Sequence, residues 1–137
     1  MVEFTSKSGA EVVINMAPWI DAKRLKAAIE KEAALAGVKL DDLKADVSVL
    51  ISTALSVDSS EAVDAALWPC LIRCTRNKEK ITPATFNTEE GRQDYYEILV
   101  ECLKVNFRPL FDSLLSVLPE NLLAAMTAKK AESAPKQ

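Results

Sequence analysis

Apolar residues that recur at spacings of three and four constrain the fold of this chain more than any other feature. On a helix such positions share one face, so each run predicts an amphipathic helix with a buried side. Four runs follow one another: Ala22, Leu25, Ile29, Ala33 and Ala36; Leu43, Val47, Leu50, Ile51 and Ala54; Val63, Leu67, Cys70 and Cys74; Tyr96, Leu99, Val100, Leu103 and Phe107. The pattern predicts a mainly α fold, a multi-helix bundle.

Start and stop residues divide this pattern into helices. Pro18 opens the first helix and Gly37 ends it, since proline fits a first helical turn and glycine suits the left-handed residue after the last. One residue of the pair Asp41–Asp42 is predicted to cap the second helix. Asp58 is predicted to cap the third helix, with Glu61 reaching back.

Thr88 is predicted to start a long helix that is apolar on two sides. Two apolar sides indicate a central helix covered by its neighbours. The second side consists of Tyr95, Ile98, Cys102 and Val105.

Prolines predict breaks in two of these helices. Pro69 is expected to kink the third helix or to split it at Trp68, because proline lacks an amide donor and crowds the preceding turn. Pro109 and Pro119 are expected to bracket a separate short apolar helix. A last helix is predicted near residues 120–128.

A β-hairpin is predicted over residues 2–16, with its turn at Ser8–Gly9 and a β-branched second strand over residues 11–14. Two strands alone are marginal in water, so the hairpin must pack on the helices. Residues 76–88 are predicted to form the main irregular loop, with a short extended stretch at Ile81–Thr82.

The length of 137 residues fits one domain. We assign residues 1–127 to a single helical domain that includes the hairpin. Residues 128–137 are low in apolar bulk and are predicted to be a disordered tail.

Composition excludes several functional classes. The chain has no histidine, which excludes a Ser-His-Asp triad, a Cys-His pair and a histidine metal site. The net charge is -3 and the pI about 5.1, so nucleic-acid binding through a basic surface is not expected. The three glycines lie far apart and form no phosphate loop. No cofactor and no enzymatic activity are predicted.

The cysteines and the apolar stretches indicate a cytoplasmic protein. Cys70, Cys74 and Cys102 make an odd count, which favours reduced thiols, and their spacing fits core packing better than zinc or redox chemistry. No stretch has the roughly 20 apolar residues that a membrane span needs. The N-terminal residues show no signal-peptide pattern.

No catalytic constellation remains, and partner binding is the predicted role. Glu89, Glu90 and Asp94 are explained as acids near a helix start, where they favour the helix dipole. Val12 to Ile14 are predicted to form an open strand edge for self-association or strand addition. Tryptophans beside prolines are candidate surface anchors. The predicted partner-binding residues are Val12, Val13, Ile14, Trp19, Trp68, Phe107 and Phe111.

Several segments together resemble the tail assembly chaperones of long-tailed, lambda-like bacteriophages. They are the stretch from Phe4 to Asn15, Ala17-Pro18 with the helix from Asp21 to Glu32, the stretch from Trp68 to Asn77 with Lys80 to Thr82 and Phe86, Asp94-Tyr95, and the stretch from Asn106 to Phe111. The resemblance covers nearly the whole chain in length and order.

This resemblance implies a non-enzymatic role in the cytoplasm of the infected host. Such proteins keep the long helical tape-measure protein soluble, help recruit tail-tube subunits and are absent from the finished virion. Covering an apolar stripe of a tape-measure helix needs an apolar groove, which the apolar helices over residues 95–118 are expected to supply. Family members commonly also occur in a longer form made by ribosomal frameshifting. Ala128-Lys129-Lys130 and Ala134-Pro135-Lys136 are compatible with slippery codons in the predicted tail.

Two other functional classes stay open at this stage. One is a small helical adaptor or regulatory protein of a prophage or bacterium, with no role in tails. The other is an enzyme that uses carboxylates or thiolates without histidine.

Overall fold

The computed structural model describes residues 1–39, 43 and 46–117, except for the side chains of 113–117. In chain order the elements of this part are β1 (Val2–Thr5), β2 (Glu11–Ile14), α1 (Trp19–Leu35), α2 (Val47–Ser56), α3 (Glu61–Leu71), β3 (Thr75–Arg76), β4 (Glu79–Lys80), a 3₁₀ helix (Pro83–Asn87) and α4 (Glu89–Val117). The predicted mainly α fold with an N-terminal hairpin is confirmed.

The strands form one antiparallel sheet in the order β1-β2-β3-β4. The prediction of an irregular loop over residues 76–88 is wrong in part, because β4 and the 3₁₀ helix lie there. Asn77 and Lys78 connect β3 to β4 with positive φ angles of 51° and 68°. A two-residue turn of this kind usually shows itself by a glycine at its second position. The second position here is Lys78, so the sequence gives no glycine signal for this turn.

Capping groups begin three of the helices. Asp46 caps α2 by accepting from the Ser48 amide at 2.8 Å. Ser60 caps α3, so the predicted cap at Asp58 is wrong by two positions. Thr88 caps α4 as predicted, with its hydroxyl accepting from the Gly91 amide at 3.0 Å.

Two prolines lie inside continuous helices, so the predicted split at Trp68 and the predicted division at Pro109 are wrong, whereas the alternative of a kink at Pro69 stays a prediction. α3 runs through Pro69 and ends two residues later, and α4 runs through Pro109 without division. Each proline removes one backbone hydrogen bond, which packing on both sides can offset. Around Pro109 the buried side chains of Phe107 and Phe111 supply that packing.

The core lies around α4. This helix packs against α2, α3, β2 and the 3₁₀ helix, while α1 packs against α3. The predicted central position of α4 is thus confirmed. The largest fully buried side chains are Ile14, Leu25, Ile29, Leu43, Leu50, Leu67, Leu71, Ile81, Ile98, Leu99, Leu103 and Phe107. Burying one such side chain contributes about 1.5–3 kcal/mol to the free energy of unfolding.

Some predictions fall outside the described residues. These are the cap at Asp41–Asp42, the break at Pro119, the last helix near 120–128 and the tail at 128–137. None of the helices in the described part combines the length and the apolar character that crossing a membrane requires.

Candidate interaction surfaces

A buried carboxylate fastens the turn of the N-terminal hairpin to α4. The side chain of Asp94 is 0% exposed. Its Oδ2 accepts hydrogen bonds from the Ser6 hydroxyl at 2.8 Å, the Ser8 hydroxyl at 2.6 Å and Arg76 Nε at 3.0 Å. Its Oδ1 accepts from the Ser8 amide at 3.3 Å. These four residues, here called the polar junction, tie the sheet to α4.

The electrostatics of this junction keep Asp94 ionised at neutral pH. Burial alone would raise the pKa of Asp94, but hydrogen bonds from Ser8, Ser6 and Arg76 outweigh it and hold the pKa below its ordinary value of 3.8. The predicted helix-dipole role of Asp94 is therefore wrong, since its carboxylate serves the hairpin turn and β3.

A buried asparagine fixes the connection between β2 and α1. Asn106 Oδ1 accepts from the Ala17 amide at 3.0 Å, and its Nδ2 donates to the Cys102 carbonyl at 2.8 Å. The anchored Ala17 lies between two exposed residues, Met16 and Trp19. Asn106 thereby sets the position of the exposed start of α1.

Gly91 permits a close approach between two helices. A Cβ atom at this position would lie 2.0 Å from the carbonyl oxygen of Thr85 in the 3₁₀ helix. Only glycine leaves space for that carbonyl without a shift of the backbone. The sequence alone gives Gly91 no role beyond its place in a first helical turn.

The three cysteines lie buried between α3 and α4 as free thiols, as predicted for core residues. Burial raises the pKa of Cys70 to about 12. Interaction between the other two thiols lowers the pKa of Cys74 to about 7 and raises that of Cys102. We call the three residues the thiol junction. Among the described residues, no group of three or more Cys, Asp or Glu could hold a metal ion.

The seven predicted partner-binding residues differ in how deeply they are buried. Four of them are core residues, with no surface free to meet a partner: Val12, Ile14, Phe107 and Phe111. Val13 is half-buried, and β2 lies between β1 and β3. The predicted open edge at Val12 to Ile14 is therefore wrong. Within the described sheet the outer strands are β1 and β4.

Trp68 belongs to a row of aromatic rings rather than to an isolated anchor. Its ring lies 6.2 Å from that of Phe86, which meets Tyr95 edge-on at 5.0 Å. Tyr95 then contacts Tyr96, which is exposed. Burial, followed by the charges of Asp58 and Asp64, raises the pKa of Tyr95 to about 12. The row packs α3 against the 3₁₀ helix and α4.

Exposed apolar residues gather where β2 leads into α1. Met16 is 63% exposed and Trp19 58%. Met16 also lines an open groove of about 500 Å³ between the start of the chain and α4. The other residues lining this groove are Met1, Val2, Glu101, Lys104, Val105, Arg108, Pro109 and Asp112. The sequence indicates Trp19, and it also indicates a groove in the apolar helices over residues 95–118, where one wall of this groove lies. It does not indicate that Met1, Val2 and Met16 form the opposite wall.

Comparison with known proteins gives one match. A family model described as "Phage tail assembly chaperone protein, TAC" matches residues 11–119. No curated protein and no solved structure matches the chain. The matched range takes in every described element from β2 to α4. Because the match spans most of the 137 residues, the chain belongs to the phage tail assembly chaperone family.

Proposed function

We propose that this protein binds the tape-measure protein during phage tail assembly and keeps it soluble. It also helps to recruit tail-tube subunits and does not remain in the mature virion. It acts without catalysis in the cytoplasm of the infected host. The family match supports this proposal, and the open groove beside α4, with its apolar wall of Met1, Val2 and Met16, is the observation that carries it.

The groove suits recognition of an amphipathic helix. Met1, Val2 and Met16 form one wall, while Val105 and Pro109 of α4 belong to the other. A helix with an exposed apolar stripe gains stability by placing that stripe in such a groove. A long helical tape-measure chain would present stripes of this kind repeatedly.

Four charged residues also line the wall that α4 forms: Glu101, Lys104, Arg108 and Asp112. They would meet the polar flank of a bound amphipathic helix.

Co-expression with the tape-measure protein of the same phage tests the proposal. We expect the wild-type chain to raise the soluble fraction of the tape measure and to copurify with it. Met16→Glu combined with Val2→Glu should abolish both effects, because the two changes replace apolar side chains of one groove wall with charges. Ala65→Glu, an exposed change in α3 outside the groove, is the matched control.

The outcome is interpretable because the changed residues are exposed. Substitutions at Phe107 or Phe111 would disturb the core and would test folding instead. A tape measure that stays insoluble with the wild-type chain would refute the proposed function. Full solubilisation by the Met16→Glu, Val2→Glu variant would refute the groove as its site.

We also propose that residues 1–127 form one domain and that residues 128–137 join it to a second domain in a frameshifted form. Ala128-Lys129-Lys130 is compatible with a slippery codon run. Expression of the gene with its native downstream DNA, followed by intact mass spectrometry, tests this. A minor longer product that shares the N-terminus is expected, and a single 137-residue product would contradict it.

A further inference from the structure

The solvent face of α1 has an unusual composition. Its exposed residues are Trp19, Ile20, Lys23, Arg24, Ala27, Lys31, Ala34 and Leu35. At about 100° per residue these positions lie within an arc of roughly 160°. The opposite arc holds the buried stripe that packs into the core: Ala22, Leu25, Ile29 and Ala33.

The charges on this face have one sign. Lys23, Arg24 and Lys31 are exposed, and none of them has an ion-pair partner among the described residues. The acidic residues of α1 are only partly exposed, and one of them, Glu30, is paired with Lys26. A face with only positive exposed charges stands out on a chain of net charge -3.

Large apolar side chains mark both ends of the same face. Ile20 is 55% exposed at its start and Leu35 is 75% exposed at its end, about 60° apart around the helix axis and roughly 22 Å apart along it. Trp19, which is 58% exposed, lies about 160° from Leu35 at the other edge of the arc. Exposed apolar side chains beside polar ones mark interaction sites.

We propose that this face of α1 binds an acidic amphipathic helix of another protein. The partner helix carries carboxylates over its middle turns, opposite Lys23, Arg24 and Lys31, and apolar residues near both ends. Charge complementarity selects the partner, and the apolar ends supply affinity. The inference goes beyond the proposed function, because it specifies a second binding surface and the chemistry of its partner.

A membrane or a nucleic acid fits this face less well. A helix that lies on a membrane inserts a continuous apolar side, and that side of α1 is already buried in the core. Nucleic-acid binding needs more clustered cations than three, particularly on an acidic chain.

A direct test uses the full chain and two designed peptides that are stapled as helices and have the 17-residue length of α1. One peptide has leucines near both ends and glutamates in the middle, and the other has lysines in place of the glutamates. Stapling removes the ordering cost that would mask weak binding. Fluorescence anisotropy of the labelled peptides measures Kd.

We expect the acidic peptide to bind at least tenfold more tightly than the basic one, with affinity falling as salt rises. A triple variant with Lys23→Glu, Arg24→Glu and Lys31→Glu should reverse this preference. The matched control, with Lys39→Glu, Arg73→Glu and Lys80→Glu, makes the same charge change at exposed sites elsewhere and should retain it. Because all six residues are exposed, both variants should keep the wild-type thermal midpoint.

Several results would overturn the inference. Equal affinity for both peptides would do so, as would no binding of the acidic peptide or an equal loss in the control variant. Binding to phosphatidylglycerol vesicles without peptide binding would point to a membrane. Dimerisation in sedimentation that only the triple variant abolishes would identify a second copy as the occupant. No tape-measure protein is used, so failure here leaves the proposed function untouched.

Discussion

Two junctions fasten other parts of the molecule to α4, and they use opposite chemistry. The polar junction holds the hairpin turn and β3 through four hydrogen bonds to the buried carboxylate of Asp94. The thiol junction holds α3 through small, weakly polar side chains that belong to the apolar core. Directional bonds to a buried charge tolerate little change, whereas apolar contacts between small groups adapt. Substitutions in the polar junction should therefore lower the free energy of unfolding more than substitutions in the thiol junction.

The largest expected effect is at Asp94. Asp94→Ala leaves Arg76 partly buried without its partner and removes the acceptor for two hydroxyls. Breaking a buried ion pair on one side costs about 3–5 kcal/mol. Urea unfolding followed by circular dichroism measures this loss. Asp94→Asn keeps the shape and should cost less. A loss below about 1 kcal/mol for Asp94→Ala would remove the contrast between the junctions.

A second effect concerns Gly91, one turn before Asp94. Gly91→Ala places a Cβ atom 2.0 Å from the Thr85 carbonyl oxygen, so the 3₁₀ helix or α4 must shift. Forcing such an overlap costs about 1–3 kcal/mol. The thermal midpoint should fall accordingly. Glu90→Ala, an exposed change in the same turn, serves as the control and should leave the midpoint nearly unchanged.

A substitution in the thiol junction should lower the free energy of unfolding less. Cys102→Ala removes one buried sulfur and leaves the Asn106 side chain its bonds to Ala17 and to the Cys102 carbonyl. We expect a loss of about 1 kcal/mol, near the average for a point substitution, measured by the same urea titration. A cost equal to that of Asp94→Ala would show that both junctions are equally demanding.

The smallest expected difference between the two junctions is in how stability depends on pH. The pKa of Asp94 is lower in the folded state than its ordinary value of 3.8. Its contribution to stability is therefore complete above the unfolded-state pKa and is lost as pH falls through the folded-state value. Urea midpoints from about pH 6 down to the acid limit of folding should fall in the wild type and in Cys102→Ala. Asp94→Asn should show a flatter profile, and an unchanged profile would contradict the role of Asp94.

Local patterns predict much of this molecule. The apolar stripes identify the buried sides of the helices except at Ala36 and Tyr96, which are exposed. Gly37 and Thr88 mark helix boundaries because capping depends on neighbouring residues. The cysteines were also correctly placed in the core. These features need only the spacing of residues along one element.

Long-range features were missed for a physical reason. Ser6 and Asp94 are 88 residues apart, and nothing near Asp94 distinguishes a buried acceptor from an acid that favours the helix dipole. Phe107 and Phe111 are apolar and aromatic whether they face a partner or the core. The split expected at Trp68 and the division expected at Pro109 are wrong because packing against neighbouring elements keeps both helices continuous, and the spacing of residues along one helix does not reveal that packing.

The separation between Ser6 and Asp94 has a consequence for synthesis on the ribosome. At about 5–20 residues per second, the hairpin turn emerges roughly 4–18 s before the carboxylate that will hold it, which lies 88 residues later. β2 must likewise wait for β3, which arrives with residues 75 and 76. β1 and β2 are thus made well before the residues that lock them in place. During that interval the nascent chain itself exposes strand edges and apolar side chains.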